Sequence, residues 1–272
     1  MTKTVLITGA SSGIGKTTAL LFAQHGWNVI ASMRSPEKDG AIFSQPNIRV
    51  VRLDVTSEQS VCRAIAESLE HFGSIDVIVN NAGYAVIGPL EAATETDYSR
   101  QFNTNVFGVI RVIQAILPHF KHKRSGTIIN ISSIAETMGL PFAGLYHATK
   151  WAVGGLSESL QYELSGFNIR IKLVMPPGVK TDFFGRSMTV MKKEGLTDYD
   201  DALNKSVYRN PQTGNQLAIA PLTVAKVIYR AAIDTSNRLR YPVGMCGAIM
   251  LVRRILPARL FYRLVRAVTM RH

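Results

Sequence analysis

Thr4-Val5-Leu6-Ile7-Thr8 is a short continuous apolar run ending at Gly9, the pattern of a strand buried on both faces. The glycine-rich stretch Gly9-Ala10-Ser11-Ser12-Gly13-Ile14-Gly15 follows, then a helical pattern from Lys16 to His25 closed by Gly26. The alternation repeats. Further strands are expected at Asn28 to Ser32, Ile48 to Leu53, Asp76 to Val79, Gly126 to Ser132 and Arg170 to Met175, the last broken by Pro176-Pro177-Gly178. A capping box at Thr56-Ser57-Glu58-Gln59 opens a helix carrying Val61, Ile65 and Leu69, with Cys62 on its apolar stripe as a small core residue. A long helix is expected from about Thr94 to Leu117, stopped by Pro118, and another from Tyr146 to about Ser165. Strands alternating with helices imply an α/β fold whose sheet is parallel and doubly wound, with right-handed crossovers and helices on both faces. No linker or internal repeat divides residues 1–272, which read as one domain.

Composition narrows this only a little. With 46% apolar and 18% charged residues the chain is globular, and no uncharged apolar run reaches the roughly 18 residues that span a bilayer. The first strand begins almost at Met1, leaving no room for a signal or transit sequence, so the cytosol or a cytosolic membrane face is the expected location. Cys62 and Cys246 are far apart and imply neither a metal site nor a disulfide framework, and the six histidines show no ligand spacing.

Charge changes the picture at one end. The net charge is +12, yet no acidic residue follows Asp234, while Arg238, Arg240, Arg253, Arg254, Arg259, Arg263, Arg266 and Arg271 carry eight of those charges. Residues 249–272 form a basic amphipathic segment. From Pro257 onward, Arg259, Arg263 and Arg266 fall within about 60° on a helical wheel, opposite Leu260, Phe261, Leu264, Val265 and Val268. Such a helix either docks its apolar face on the domain or a partner subunit, or lies on an anionic membrane as a peripheral contact. The basic loop Lys121 to Arg124 has no interleaved aromatics, so no nucleic-acid partner is expected.

Candidate chemistry sits in three places. The strand–glycine loop–helix unit suits a pyrophosphate at a helix N-terminus, or else a tight structural turn; its spacing is Gly-x-x-x-Gly-x-Gly rather than Gly-x-Gly-x-x-Gly. After the second strand, Met33 and Arg34 stand where a carboxylate for an NAD ribose is usual. The Arg34 guanidinium suits a 2′-phosphate, hence NADP (NADPH) over NAD, unless it is only a solvated loop residue. Tyr146 and Lys150, four residues apart, share a helix face, where an ammonium would favour the phenolate; in isolation such a pair is usually a solvated surface. Asn103, Asn105 and Gly108 are poor helix formers inside the long helix, which hints at a role other than packing.

Thr8-Gly9-x-x-x-Gly13-x-Gly15, Asn80-Asn81-Ala82-Gly83, Asn105, Ser133, Tyr146-x-x-x-Lys150 and Pro177-Gly178 occur in order, and together they resemble the short-chain dehydrogenase/reductase family over about Lys3 to Asp182. The resemblance implies a Rossmann-type domain and an NADPH-dependent oxidoreductase acting on a ketone or secondary alcohol. It gives Tyr146 the role of general acid/base, with Lys150 lowering its pKa and holding the nicotinamide ribose. Ser133 would bind the substrate oxygen, with Ser132 the neighbouring alternative, and Asn105 would hold a water leading to Lys150. Gly9, Ser11, Ser12, Gly13, Ile14 and Gly15 would surround the cofactor phosphates, and Asp54 with Val55 the adenine. Asn81, Ala82 and Gly83 would lie beside the ribose, and Pro177, Gly178, Val179 and Thr181 would frame the nicotinamide. Ser12 stands where many NADP-dependent members have Arg or Lys, and Thr149 where Ser is commoner.

Met138 to Phe142, similar to the segment in hydroxysteroid dehydrogenases, and a substrate loop of about 182–220 with Phe183, Phe184, Met188, Met191 and a polar run through Tyr208 are expected to wall a pocket for a hydrophobic carbonyl or alcohol. His147 reads as a pocket-wall residue. Family members are commonly homo-oligomers, an expectation carried over with the rest. A non-catalytic NADP-sensing or scaffolding protein on the same fold is the rival reading, and a nucleotide-sugar epimerase a weaker one.

Overall fold

Every side chain of β1 (Thr4–Ile7) is buried, Val5 and Ile7 in one apolar layer and Leu6 in the other. Burial on both faces is why the run is continuous rather than alternating. The computed structural model describes residues 2–39, 43, 45–181, 187–204, 206 and 218–270. Seven parallel strands lie in the order β3 (Ile48–Arg52), β2 (Asn28–Met33), β1, β4 (Val77–Asn80), β6 (Gly126–Ile131), β7 (Ile169–Met175) and β9 (Arg240–Pro242). Helices α1 (Gly13–Gln24) and α6 (Pro221–Ile233) cover one face through Ala19, Phe22, Val224 and Ile228. The other face is covered by α2 (Glu58–Phe72), the long helical segment of residues 95–123 and α5 (Gly144–Glu163), through Val61, Ile65, Val112, Ile116 and Val153. The fold is a doubly wound, Rossmann-type α/β sheet. Its strand order reverses between β1 and β4, which pair as Val5↔Val77, Leu6↔Ile78 and Ile7↔Val79. A crevice therefore opens at their C-terminal ends.

Three expectations change. The long helix is α3 (Glu95–Phe102), one π turn at Asn103–Phe107, then α4 (Gly108–Lys123), with Pro118 inside it rather than at its end. Pro118 removes one amide donor, but the next turn is anchored by fully buried Phe120 and by Lys123, which bonds Ser74 Oγ at 2.8 Å and pairs with Asp76. Cys62 is exposed; the buried stripe of α2 runs Val61, Ala64, Ile65, Ser68, and Cys62 lies one residue, about 100°, away from it. The sheet also gains β9, and β5 (Ala85–Ile87) pairs in parallel with β8 (Met188–Val190) in a separate two-stranded sheet.

A Cβ on Gly126, where β6 begins, would stand 2.4 Å from the Phe120 ring. Gly126→Ala is expected to cost about 1–3 kcal/mol in urea unfolding, whereas Gly139→Ala, with nothing within 4 Å of its Cβ, should be near neutral. Equal stability of the two variants would show that the end of α4 does not pack as described.

Candidate active site

The turns after β1 and β4 are stitched together by side chains. Thr8 Oγ1 accepts the backbone N–H groups of Asn81 and Ala82, each at 3.0 Å, while Asn81 Nδ2 donates to the carbonyls of Thr8 (2.9 Å) and Gly9 (3.1 Å). Gly9 has φ +67°, a left-handed conformation that glycine adopts without strain. In the first turn of α1, a Cβ on Gly15 would come within 2.4 Å of the Gly9 carbonyl oxygen and 2.6 Å of Asn81 Nδ2. Only glycine lets the helix approach so closely. Around its N-terminus stand half-buried Ser11, Ser12, Gly13 and Ile14, with Thr181 3.1 Å from where a Cβ on Gly13 would be. Ser12 is the N-cap residue, yet its hydroxyl makes no bond to the helix.

Beyond β2, Met33 is buried and Arg34 is exposed, with no side-chain hydrogen bond or ion pair among the described residues. Neighbouring Arg52, by contrast, donates to the Arg34 carbonyl at 2.9 Å and pairs with Glu37 at 2.7 Å. Asp54 Oδ1 accepts from both the N–H (2.9 Å) and the hydroxyl (2.8 Å) of Thr56. Val55 is buried under α4, where a Cβ on Gly108 would touch it at 2.9 Å.

Tyr146 and Lys150 lie one turn apart on α5. Beneath them, Asn80 donates to Asn130 at 2.8 Å and Asn130 to Ser157 at 2.9 Å, joining β4, β6 and α5. Lys150 Nζ donates to the Ile131 carbonyl at 2.8 Å and stands 5.6 Å from the centre of the Tyr146 ring. The Tyr146 hydroxyl is hydrogen-bonded to Ser133. Ser132 points elsewhere, donating to Glu136 at 2.7 Å. Of the two serines, Ser133 therefore meets the phenol.

The expected lowering of the Tyr146 pKa is reversed. Burial pushes the phenol up to about 12, only partly opposed by Ser133. Burial also pulls Lys150 down to about 8, with Glu136 opposing. Dehydration is the larger influence at both groups, and one donor of the ammonium goes to the Ile131 carbonyl.

Asn105 sits in the π turn and uses its side chain as a brace. Its Oδ1 accepts the Tyr84 N–H at 3.1 Å, and its amide donates to the Tyr84 carbonyl (2.8 Å) and Thr149 Oγ1 (3.2 Å). Gly83 leaves room for it, since a Cβ there would meet Asn105 Oδ1 at 3.1 Å. Similarly, His147 Nδ1 bonds the Ala135 carbonyl at 2.9 Å and its Nε2 accepts the Leu140 N–H at 3.2 Å. With both ring nitrogens engaged, His147 braces the Ser133–Leu140 loop rather than lining a pocket. Ile134 N–H bonds the Pro176 carbonyl at 3.1 Å, which sets Pro177 and Gly178 beside that loop, while Val179 is buried and bridged to Ile219.

Leu90, Leu140, Phe142, Leu145, Met191 and Tyr199 line an apolar cleft of about 230 Å³ next to α5. Parts of the two expected wall segments thus converge. Phe183, Phe184 and Tyr208 lie outside the described residues. Three organising residues escaped sequence reasoning. Thr8 stood in a recognised motif with no role given to it, whereas Glu136 and Arg240, which meet at 2.9 Å, carry no local signal.

The profile of the short chain dehydrogenase family matches residues 3–191. The chain belongs to the short-chain dehydrogenase/reductase family. It is 40% identical over 204 residues to a 3-ketodihydrosphingosine reductase of Bacteroides thetaiotaomicron, covering 75% of this chain and 74% of that protein. Retinol dehydrogenase 8 of Bos taurus is 35% identical over 252 residues, covering 88% of this chain and 80% of that one. The solved structure of ElxO with NADP bound superposes with TM-score 0.75 at 32% identity, covering 91% of this chain and 100% of that one.

With its pKa at about 8, Lys150 is an ammonium below that pH and a free amine above it. In NMR of protein with 13Cε-labelled lysine, one resonance should titrate near 8 and be missing from Lys150→Arg. Titration of every lysine above 10 would contradict the buried, dehydrated setting.

Proposed function

We propose that the protein is an NADPH-dependent oxidoreductase that reduces a hydrophobic ketone to the secondary alcohol, and that with NADP⁺ as hydride acceptor it oxidises the alcohol. The observation that carries this reading is the Ser133–Tyr146–Lys150 group, with Ser133 and Lys150 buried and Tyr146 half-buried, next in the chain to Leu145, which lines the apolar cleft. A phenol with pKa near 12 is protonated at neutral pH, which suits donation to a carbonyl oxygen. Ser133 holds that oxygen and steadies its growing negative charge. The Lys150 ammonium compensates the phenolate left behind, and Asn105 keeps α5 and the Tyr84 turn in place for the proton to be restored.

The pocket fits the cofactor. When bound, NADPH supplies the hydride. The amides of Gly13, Ile14 and Gly15, with Ser11 and the unspent Ser12 hydroxyl, would hold its phosphates at the positive end of α1. Arg34, unpaired among the described residues and with no acid beside it, would take the 2′-phosphate, and Asp54 the adenine amine. Asn81, Ala82 and Gly83 would border the ribose, and Pro177, Gly178, Val179 and Thr181 the nicotinamide. A preference for NADPH also accords with ElxO, solved with NADP bound. For the substrate, an apolar cleft accords with relatives named a ketodihydrosphingosine reductase and a retinol dehydrogenase. Exposed Tyr98, Phe107 and Trp151 support a homo-oligomer formed over α3–α5.

Tyr146→Phe is expected to bind NADPH as wild type does, by fluorescence titration, while turnover falls about 10² to 10⁴-fold. Turnover within a fewfold of wild type would remove the phenol from the mechanism and leave the non-catalytic reading standing. Arg34→Ala should raise the Michaelis constant for NADPH far more than that for NADH; equal changes would mean that Arg34 does not meet the 2′-phosphate.

A further inference from the structure

The last two helices wear apolar residues on the outside. In α7 (Cys246–Ile255), buried Cys246 and half-buried Ile249, Met250 and Arg253 face inward. Ala248, Leu251, Val252 and Ile255, at the three- and four-residue spacing of one helix face, are all exposed, Ile255 at 69%. In α8 (Ala258–Thr269), Phe261 is buried, but Leu260, Leu264 and Val268 form an exposed row four residues apart, Val268 at 70%. Arg259, Arg263 and Arg266, all exposed, lie roughly 130° around the helix from that row. Eight of the sixteen exposed large apolar or aromatic side chains among the described residues lie between Met245 and Val268. Arg253 locks the pair into one platform, its guanidinium 5.0 Å from the Phe261 ring centre and 5.4 Å from that of Tyr262.

We propose that this helical hairpin lies flat on the surface of an anionic phospholipid bilayer, with Leu251, Ile255, Leu260, Leu264 and Val268 among the upper acyl chains and the arginines at the phosphates. Charge complementarity selects this occupant. Eight arginines and no acid follow Asp234, and the planar guanidinium matches phosphate oxygens in pairs. The contact is interfacial, because no described helix is long and apolar enough to cross a membrane. Docking on the domain itself, one of the alternatives drawn from the sequence, covers Phe261 and, in part, Val265, while Leu260, Leu264 and Val268 are exposed.

The full-length protein should sediment with vesicles of phosphatidylcholine plus phosphatidylserine at low salt, progressively less as salt rises, and hardly at all with phosphatidylcholine alone. Two variants separate the charged and apolar parts. Arg259→Gln/Arg263→Gln/Arg266→Gln alters only exposed side chains and should weaken binding on the order of a hundredfold. Ile255→Glu/Leu264→Glu should abolish it. Both variants should keep wild-type NADPH binding and circular dichroism. Failure of the wild-type protein to sediment with anionic vesicles would overturn the proposal. So would equal binding to both vesicle types by the wild type and the arginine variant, or a dimer in lipid-free light scattering that Ile255→Glu/Leu264→Glu splits into monomers.

Discussion

The structure depends on how closely the first turn of α1 approaches the ends of β1 and β4. Nothing larger than a hydrogen fits at Gly15, which faces the Gly9 carbonyl and the Asn81 amide. That amide itself donates to the Thr8 and Gly9 carbonyls, and the Thr8 hydroxyl oxygen accepts the backbone N–H groups of Asn81 and Ala82. One contact thereby fixes where the helix dipole points, how wide the crevice is, and which side of it the Asn81–Gly83 turn occupies. With the strand order reversing at the same place, the positive end of α1 coincides with the point where a doubly wound sheet opens a crevice.

The proposed reacting groups are held from the other direction. Tyr146 reaches Ser133 only because α5 lies close over the loop after β6, where a Cβ on Gly154 would strike the Glu136 carboxylate at 2.7 Å. Glu136 in turn takes the Ser132 hydroxyl and the Arg240 guanidinium. The edge strand β9 is thus tied to the serine loop through one buried carboxylate, which also keeps Lys150 from losing its proton more easily still. A buried charge with this many hydrogen bonds costs less than an unpaired one and fixes one geometry.

Much of this was legible in the sequence, and for definite reasons. Strands buried on both faces leave uninterrupted apolar runs, so β1, β2, β4, β6 and β7 were each found within a residue or two. The glycine loop and the Tyr146–Lys150 spacing are local in the chain, so their placement followed from motif and helix period alone. What failed was set by distant partners. β9 is Arg-Tyr-Pro and carries no strand pattern; it pairs because Tyr241 meets Lys172 at 3.0 Å and Asp234 at 2.6 Å. Pro118 ends no helix because Phe120 and Lys123 have tertiary anchors. The spacing of Tyr146 and Lys150 gave their proximity, but their pKa directions follow from burial, which spacing does not encode. Asn81 and Asn105 were found as residues, but their side chains go to backbone partners that only the folded chain brings near.

A crystal structure of the protein with NADP⁺ tests this account most directly. The result expected is a pyrophosphate against the first turn of α1 at Gly13–Gly15, the 2′-phosphate at Arg34, and the nicotinamide facing Tyr146. Phosphates bound away from the glycine turn, or a nicotinamide out of reach of the Tyr146 hydroxyl, would contradict it.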